Sequence, residues 1–263
     1  MQIRRTNPRA RVLEATVEKV QRPDKTRLEA ATTRAAAEVA RRTGAFRVPE
    51  VQRHDDDTGL LVLERIHDLV PLRTALRTMD DPAGLMAKVG EALAAVHRHL
   101  ALPAELAAPV PVAWRDEAAP QAFLHGDFNT TNVQVIAGTR EIVILDWAFT
   151  DVWEGTGTYG PACFDAMWMA HTMMFGSILR LRPIPAVERM AARFLDSYLH
   201  AYGKDSPAEV EVMRGYLRRA EGLLRANHRA RKNVVRSQVD RVRFARFARF
   251  AAGYQIGPLP AAG

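Results

Sequence analysis

Glycine, cysteine and acidic side chains are each scarce at places where their absence is informative. No glycine precedes Gly44, so a glycine-rich phosphate-cradling loop cannot form before that point. Cys163 is the single cysteine, which excludes an internal disulfide and a structural zinc site built on several thiols. No apolar run approaches the length needed to cross a bilayer, and Met1-Gln-Ile-Arg-Arg-Thr-Asn7 lacks the apolar core of a secretory signal. A reducing cytoplasm is the expected home. From Arg214 to Arg249 only Glu221 and Asp240 are acidic, against twelve Lys and Arg, a local balance of +10. The whole chain carries +7, so the remainder sums to 7 − 10 = −3. That segment suits nucleic acid, a membrane surface, an anionic ligand or a merely solvated helix face, and charge alone does not choose.

What is present is an ordinary globular balance. The 263 residues are 48% apolar and 25% charged, enough for one large domain or two small lobes around a cleft. Arg11–Val20 mixes β-branched residues with charges and reads as a strand, broken by Arg22-Pro23-Asp24. Pro23 and Asp24 suit the first turn of a helix running to about Arg42 and stopped by Gly44. Val48–Gln52 and Leu60–Ile66 are short apolar runs around the acidic turn Asp55–Gly59. Beyond Val70 the pattern becomes helical: Leu85, Val89, Leu93, Val96 and Leu100 recur at spacings of three and four. Phe164–Leu181, Ala186–Tyr202 and Glu209–Tyr254 read as helices, the last as two or more, and Gln121–Trp147 is the one later β-like region. The expected fold class is α+β. It comprises a small mixed lobe over residues 1–66 and a larger, mainly helical lobe over 67–263.

Within Phe123–Trp147, the apolar runs Val133–Ile136 and Ile142–Leu145 flank Ala137-Gly-Thr-Arg140 and read as an antiparallel hairpin. Asn132 precedes the first strand and Asp146 follows the second, symmetric about residue 139. Both should therefore meet at the open end of the hairpin, with Asp127 on the loop that enters it. A carboxylate with an amide oxygen suits a hard cation such as Mg²⁺, which takes its remaining ligands from water and phosphates. A second carboxylate beside that cation can accept a proton from an attacking hydroxyl.

The arrangement His125-Gly126-Asp127, Asn132 and Asp146-Trp147 resembles the catalytic loop and metal-binding Asp of kinases. It is closest to the aminoglycoside phosphotransferase/choline kinase family, small-molecule kinases of the bilobal protein-kinase-like fold. Gly160-Pro-Ala-Cys-Phe-Asp165 is similar to that family's Gly-Asp-Pro-x-x-Asp stretch. The resemblance implies a phosphotransferase that moves the terminal phosphate of ATP (or GTP) to a hydroxyl of a small molecule. By position, Asp127 is the base, His125 a brace of the catalytic loop, and Asn132 and Asp146 the Mg²⁺ ligands. Lys19 lies where the family's strand lysine contacts the nucleotide phosphates. Its helix partner is Glu29, with Glu38 as the alternative. Leu63–Ile66 resembles the segment joining the lobes, whose backbone, at Glu64 and Ile66, would hold adenine. His97 matches a packed structural histidine. The glycine-free start departs from the family: either a short loop without glycine covers the phosphates, or Arg4, Arg5, Arg9 and Arg11 contact them directly, or nucleotide binding is weak, as in a degenerate kinase.

Other readings rank lower. His125 and His171 with Asp146 and Asp165 lack the short helical spacing of a transition-metal site. Met167, Met169, Met173 and Met174 with Trp168 read as core, as does the stripe Phe244, Phe247, Ala251 and Tyr254. Asp151 and Glu154 are candidates to touch the acceptor. A catalytically degenerate kinase-fold binding protein, and a nucleic-acid binder using residues 214–249, are the alternative functions. The expected acceptor is neutral or anionic rather than polycationic, because the C-terminal helices are basic.

Overall fold

The computed structural model describes residues 10–147, 157–175, 184–230 and 234–257, with the side chains of 184 and 227–241 excepted. Arg4, Arg5, Arg9, Asp151 and Glu154 lie outside the described residues.

The small lobe is a four-stranded antiparallel sheet in the order β1-β2-β4-β3, with one long helix against it. Its strands are β1 (Arg11–Val12), β2 (Thr16–Val20), β3 (Val51–Asp55) and β4 (Leu60–Glu64). The segment Arg11–Val20, read as one strand, is thus two strands that fold back on each other, Val12 pairing with Val17. Helix α1 (Pro23–Thr43) starts as expected, with Pro23 in its first turn and Asp24 beside the positive end of the helix dipole. Arg41 and Arg42 sit at the other end, and Gly44 caps it at φ 65° by donating its N–H to the Ala40 carbonyl. The buried face of α1 consists mainly of alanine and threonine, including Ala30, Thr33, Ala36 and Ala37. These small side chains let the helix lie close on Leu61 and Leu63 of β4.

The large lobe is mainly helical. Its helices are α2 (Leu72–Thr78), α3 (Pro82–His99), α4 (Cys163–Phe175), α5 (Ile184–Tyr202), α6 (Pro207–Ala230) and α7 (Val234–Gly253). Helix α3 begins at an Asp81 cap, whose carboxylate accepts from the Gly84 N–H at 2.8 Å. The backbones of α3 and α5 meet at Gly90, where a Cβ would stand 2.5 Å from the Phe194 carbonyl oxygen. No residue but glycine fits there without moving one helix. Val89, Leu93 and Val96 of α3, Phe194, Leu195 and Tyr198 of α5, and all four methionines of α4 are buried in one core. Phe244, Phe247, Ala251 and Tyr254 pack α7 onto it. Among the described residues no helix is long and apolar enough to cross a membrane.

Two short sheets complete the large lobe. Strands β5 (Leu69–Pro71), β7 (Val133–Ile136) and β8 (Ile142–Ile144) form one, and β6 (Gln121–Phe123) with β9 (Tyr159–Pro161) the other. The pattern around β5 and β9 does not announce them, because each is three residues long and contains proline, which marks edges and strand ends. The lobes are joined in part by the backbone of Arg47, whose N–H donates to Ile142 and whose carbonyl accepts from Ile144 of β8. The bilobal α+β arrangement expected from the sequence is the one observed.

Candidate active site

The β7–β8 hairpin pairs Val133 with Ile144 and Val135 with Ile142, so its centre lies between residues 138 and 139. The four-residue turn 137–140 sets this register. It corrects the expected symmetry about residue 139 by half a residue. Asn132 therefore faces Leu145, whose N–H donates to the Asn132 carbonyl at 2.9 Å, and Asp146 stands one residue further out. Asp146 adopts φ 58°, which turns the chain at that point.

The loop between β6 and β7 is held from beneath by Asp165, in the first turn of α4 and fully buried. One carboxylate oxygen accepts from the His125 N–H at 2.7 Å and the other from the Gly126 N–H at 2.8 Å. His97 of α3 contacts the same carboxylate at 3.1 Å and Tyr198 of α5 at 2.9 Å, which makes it a packed structural histidine. Gly126 has φ 80°, a conformation open to glycine and costly for the arginine that protein kinases carry there. His125 Nδ1 receives the Asp127 N–H at 3.2 Å, so that nitrogen is the acceptor and Nε2 carries the proton donated to the Leu145 carbonyl at 2.9 Å. His125 thereby ties the loop to the residue before Asp146 and packs against Trp147.

Asp127 is nearly buried and its carboxylate is fixed by three donors. Oδ1 accepts from Trp168 Nε1 and from Asn129 Nδ2, each at 2.8 Å, and Oδ2 accepts from Asn132 Nδ2 at 2.8 Å. Burial pushes its pKa above the ordinary carboxylate value, against the opposing effect of the hydrogen bonds from Trp168, Asn129 and Asn132. Asn129 is the hub of the turn: its Oδ1 receives the N–H groups of Thr131 at 2.7 Å and Asn132 at 3.1 Å. Asn132 Nδ2 also donates to the Asp127 carbonyl at 3.0 Å.

Across the cleft, Lys19 Nζ lies 2.6 Å from Glu29 Oε1 and 2.5 Å from Asp146 Oδ1. Glu29 is buried on α1 and also accepts from Gln21 Nε2 at 2.7 Å. Glu38, the alternative partner, is exposed and pairs with Arg41. The structure thus brings His125, Asp127 and Asn132 into one network, and Lys19, Glu29 and Asp146 into another. The backbone of Leu145 links the two. Glu64 ends β4 with its side chain turned to Arg47 and to the Glu50 N–H, and Ile66 is buried two residues on.

Asn129, Trp168 and the loop-holding role of Asp165 were not read from the sequence. Asn129 had a local signal, since Asn two and three residues before backbone N–H groups favours a side-chain turn. Trp168 had none, because its partner is 41 residues away. Asp165 cannot line an acceptor pocket, since its carboxylate is buried against the loop.

Among the described residues no group of three or more His, Cys, Asp or Glu is placed to hold a metal ion. The described arginines of the basic segment are largely engaged: Arg214 and Arg218 with Glu211, Arg219 with Asp116, and Arg225 with Glu221.

Residues 99–221 match the model of the phosphotransferase enzyme family, APH. The resemblance read from the motifs holds. The matched span contains the loop between β6 and β7, Asp146 and Asp165, and leaves Lys19 and Glu29 outside. No curated protein matches the chain. Its fold is similar to that of a choline/ethanolamine kinase family protein from Mesorhizobium loti, with a TM-score of 0.56 at 18% identity over 94% of this chain and 89% of that one. It is similar, too, to an amicoumacin kinase in complex with AMP-PNP, Ca²⁺ and Ami, with a TM-score of 0.52 at 13% identity over 93% and 84% of the two chains. A glucosamine kinase in complex with glucosamine, ADP and inorganic phosphate gives 0.52 at 13% identity, over 93% and 78%. The fold is the protein-kinase-like fold of small-molecule kinases, and residues 99–221 within it match the phosphotransferase family model.

Proposed function

We propose that this protein is a cytoplasmic small-molecule kinase that transfers the terminal phosphate of ATP, or of GTP, to a hydroxyl group. The observation that carries the reading is the Lys19 ammonium between Glu29 and Asp146, facing a loop on which Asp127 and Asn132 are hydrogen-bonded to each other. The family match and the nucleotide complexes of the similar kinases support it. In this reading residues 1–66 hold the nucleotide and residues 67–263 carry the catalytic loop and the acceptor site.

Lys19 neutralises the nucleotide phosphates, and Glu29 keeps it extended toward them. Backbone groups of Glu64 and Ile66, between the lobes, hydrogen-bond adenine. Asp127 accepts the proton of the attacking hydroxyl, and His125 and Asp165 hold its loop. The donor set of Asn132 and Asp146 fits Mg²⁺. The amide nitrogen of Asn132 is committed to Asp127, which leaves its oxygen for a cation, and Asp146 supplies a carboxylate 43% exposed to the cleft. Bound there, Mg²⁺ supplies neutralisation of charge on the transferred phosphoryl group.

Titration calorimetry with ATP and with GTP, with and without Mg²⁺, tests this. Binding that requires Mg²⁺ is expected. No binding of either nucleotide at millimolar concentration would sink the catalytic reading in favour of a degenerate kinase-fold binding protein.

A further inference from the structure

Trp168 lies one turn beyond Asp165 on α4 and is 9% exposed. A tryptophan in a helix core is ordinarily packing, and its N–H needs some acceptor when buried. Here that acceptor is Oδ1 of Asp127, on the catalytic loop. Asn129 Nδ2 takes the second position on Oδ1. Among the described residues Oδ2 has a single donor, Asn132 Nδ2. The carboxylate is therefore asymmetric, with one oxygen saturated and the other able to receive one more hydrogen bond.

The indole is itself held rigidly. Its ring stacks on His171 at 5.4 Å and 18°, His171 stacks on Phe175 at 4.1 Å, and Phe247 meets His171 edge-on at 5.4 Å. A donor locked by ring packing fixes an orientation that a flexible side chain would not. Resting on the reading of Asp127 as the base, we propose that Trp168 is a positioning residue. It saturates Oδ1 and so makes Oδ2 the oxygen that takes the acceptor proton. In that step the hydroxyl O–H bond breaks and the proton goes to Oδ2. The hydroxyl oxygen's electron pair forms the new bond to the terminal phosphorus. The bond from that phosphorus to the bridging oxygen breaks, and the nucleoside diphosphate leaves with its electrons.

Trp168→Phe keeps an aromatic ring and removes the N–H. In ¹⁵N-labelled full-length protein its spectrum identifies the Trp168 indole signal by loss. The same variant should also move the side-chain amide signals of Asn129 and Asn132. Asp127→Asn, with Trp168 intact, should shift the indole signal while that of Trp114 stays in place, and this arm does not depend on how Trp168→Phe folds. An indole signal indifferent to Asp127→Asn, or amide signals indifferent to a folded Trp168→Phe, overturns the proposal. In ATP turnover with water as acceptor, Trp168→Phe should lower kcat ~10–100-fold and leave KM for ATP within about twofold. Full turnover in Trp168→Phe beside a dead Asp127→Asn overturns the Trp168 role alone. Full turnover in Asp127→Asn overturns the base assignment itself.

Discussion

Lys19 of the small lobe reaches across the cleft to Asp146, the residue after the β7–β8 hairpin, with 2.5 Å between Nζ and Oδ1. Burial by itself would lower the pKa of this ammonium, but the charges of Glu29 and Asp146 outweigh that and hold it above the ordinary lysine value. The lysine is therefore charged at any working pH, and Glu29 fixes its direction. Glu29→Gln should reduce turnover roughly 10–100-fold, because in the proposed function a misdirected lysine no longer meets the phosphates. Glu38→Gln should be silent, since Glu38 is exposed and pairs only with Arg41 among the described residues. Steady-state kinetics on both variants check this, and equal effects would remove Glu29 from its role.

The proposed function gives Asp127 and Asp146 different work, and their variants should separate. Asp127→Asn should abolish transfer and largely spare nucleotide affinity, because in the proposed function the side chain serves the acceptor hydroxyl. Loss of a positioned base typically costs ~10²–10⁴-fold in rate. Asp146→Ala should damage Mg²⁺-nucleotide affinity as well as rate. Calorimetry beside a turnover assay distinguishes the two, and near-normal turnover of Asp127→Asn would show the assignment to be wrong.

Asp165 connects stability to the site. Its carboxylate takes two loop N–H groups and contacts His97, all in the core. Asp165→Ala leaves those groups buried without an acceptor, at about 1–3 kcal/mol each. The thermal midpoint should drop by roughly 10 °C at this chain length. Asp165→Asn keeps an acceptor oxygen and should lose less. Differential scanning calorimetry decides, and an unchanged midpoint in Asp165→Ala would mean the loop is held by other means.

The parts of this architecture legible in the sequence are those fixed by local chemistry. Pro23, Asp24 and Gly44 mark the ends of α1, and Ala137–Arg140 marks the hairpin turn, because each acts within a few residues. Spacing located Asp127, Asn132 and Asp146 near one hairpin end, although the register was half a residue off. Strands β5 and β9 stayed hidden, since their pairing with β7 and β6 is a long-range choice with no periodicity behind it. Trp168 stayed hidden for the same reason: nothing local distinguishes an indole that packs from one that also donates to the Asp127 carboxylate.

The acceptor should be neutral or anionic rather than a polycationic aminoglycoside. Binding several ammonium groups requires a surplus of carboxylates around the acceptor site, and the C-terminal helices do not provide one. The structure moderates the field suggested by the sequence, because Arg214, Arg218, Arg219 and Arg225 are paired with Glu211, Asp116 and Glu221. The same pairs occupy those three acids, so they do not become binding groups for a cation either. Asp165 is buried beneath the loop and contributes no carboxylate to a pocket. Acceptor kinetics with a kanamycin-type compound, set against neutral and anionic hydroxylated metabolites, decide the matter. Efficient phosphorylation of the aminoglycoside, at a kcat/KM near ~10⁴ M⁻¹s⁻¹ or above, would overturn this prediction and leave the kinase reading intact.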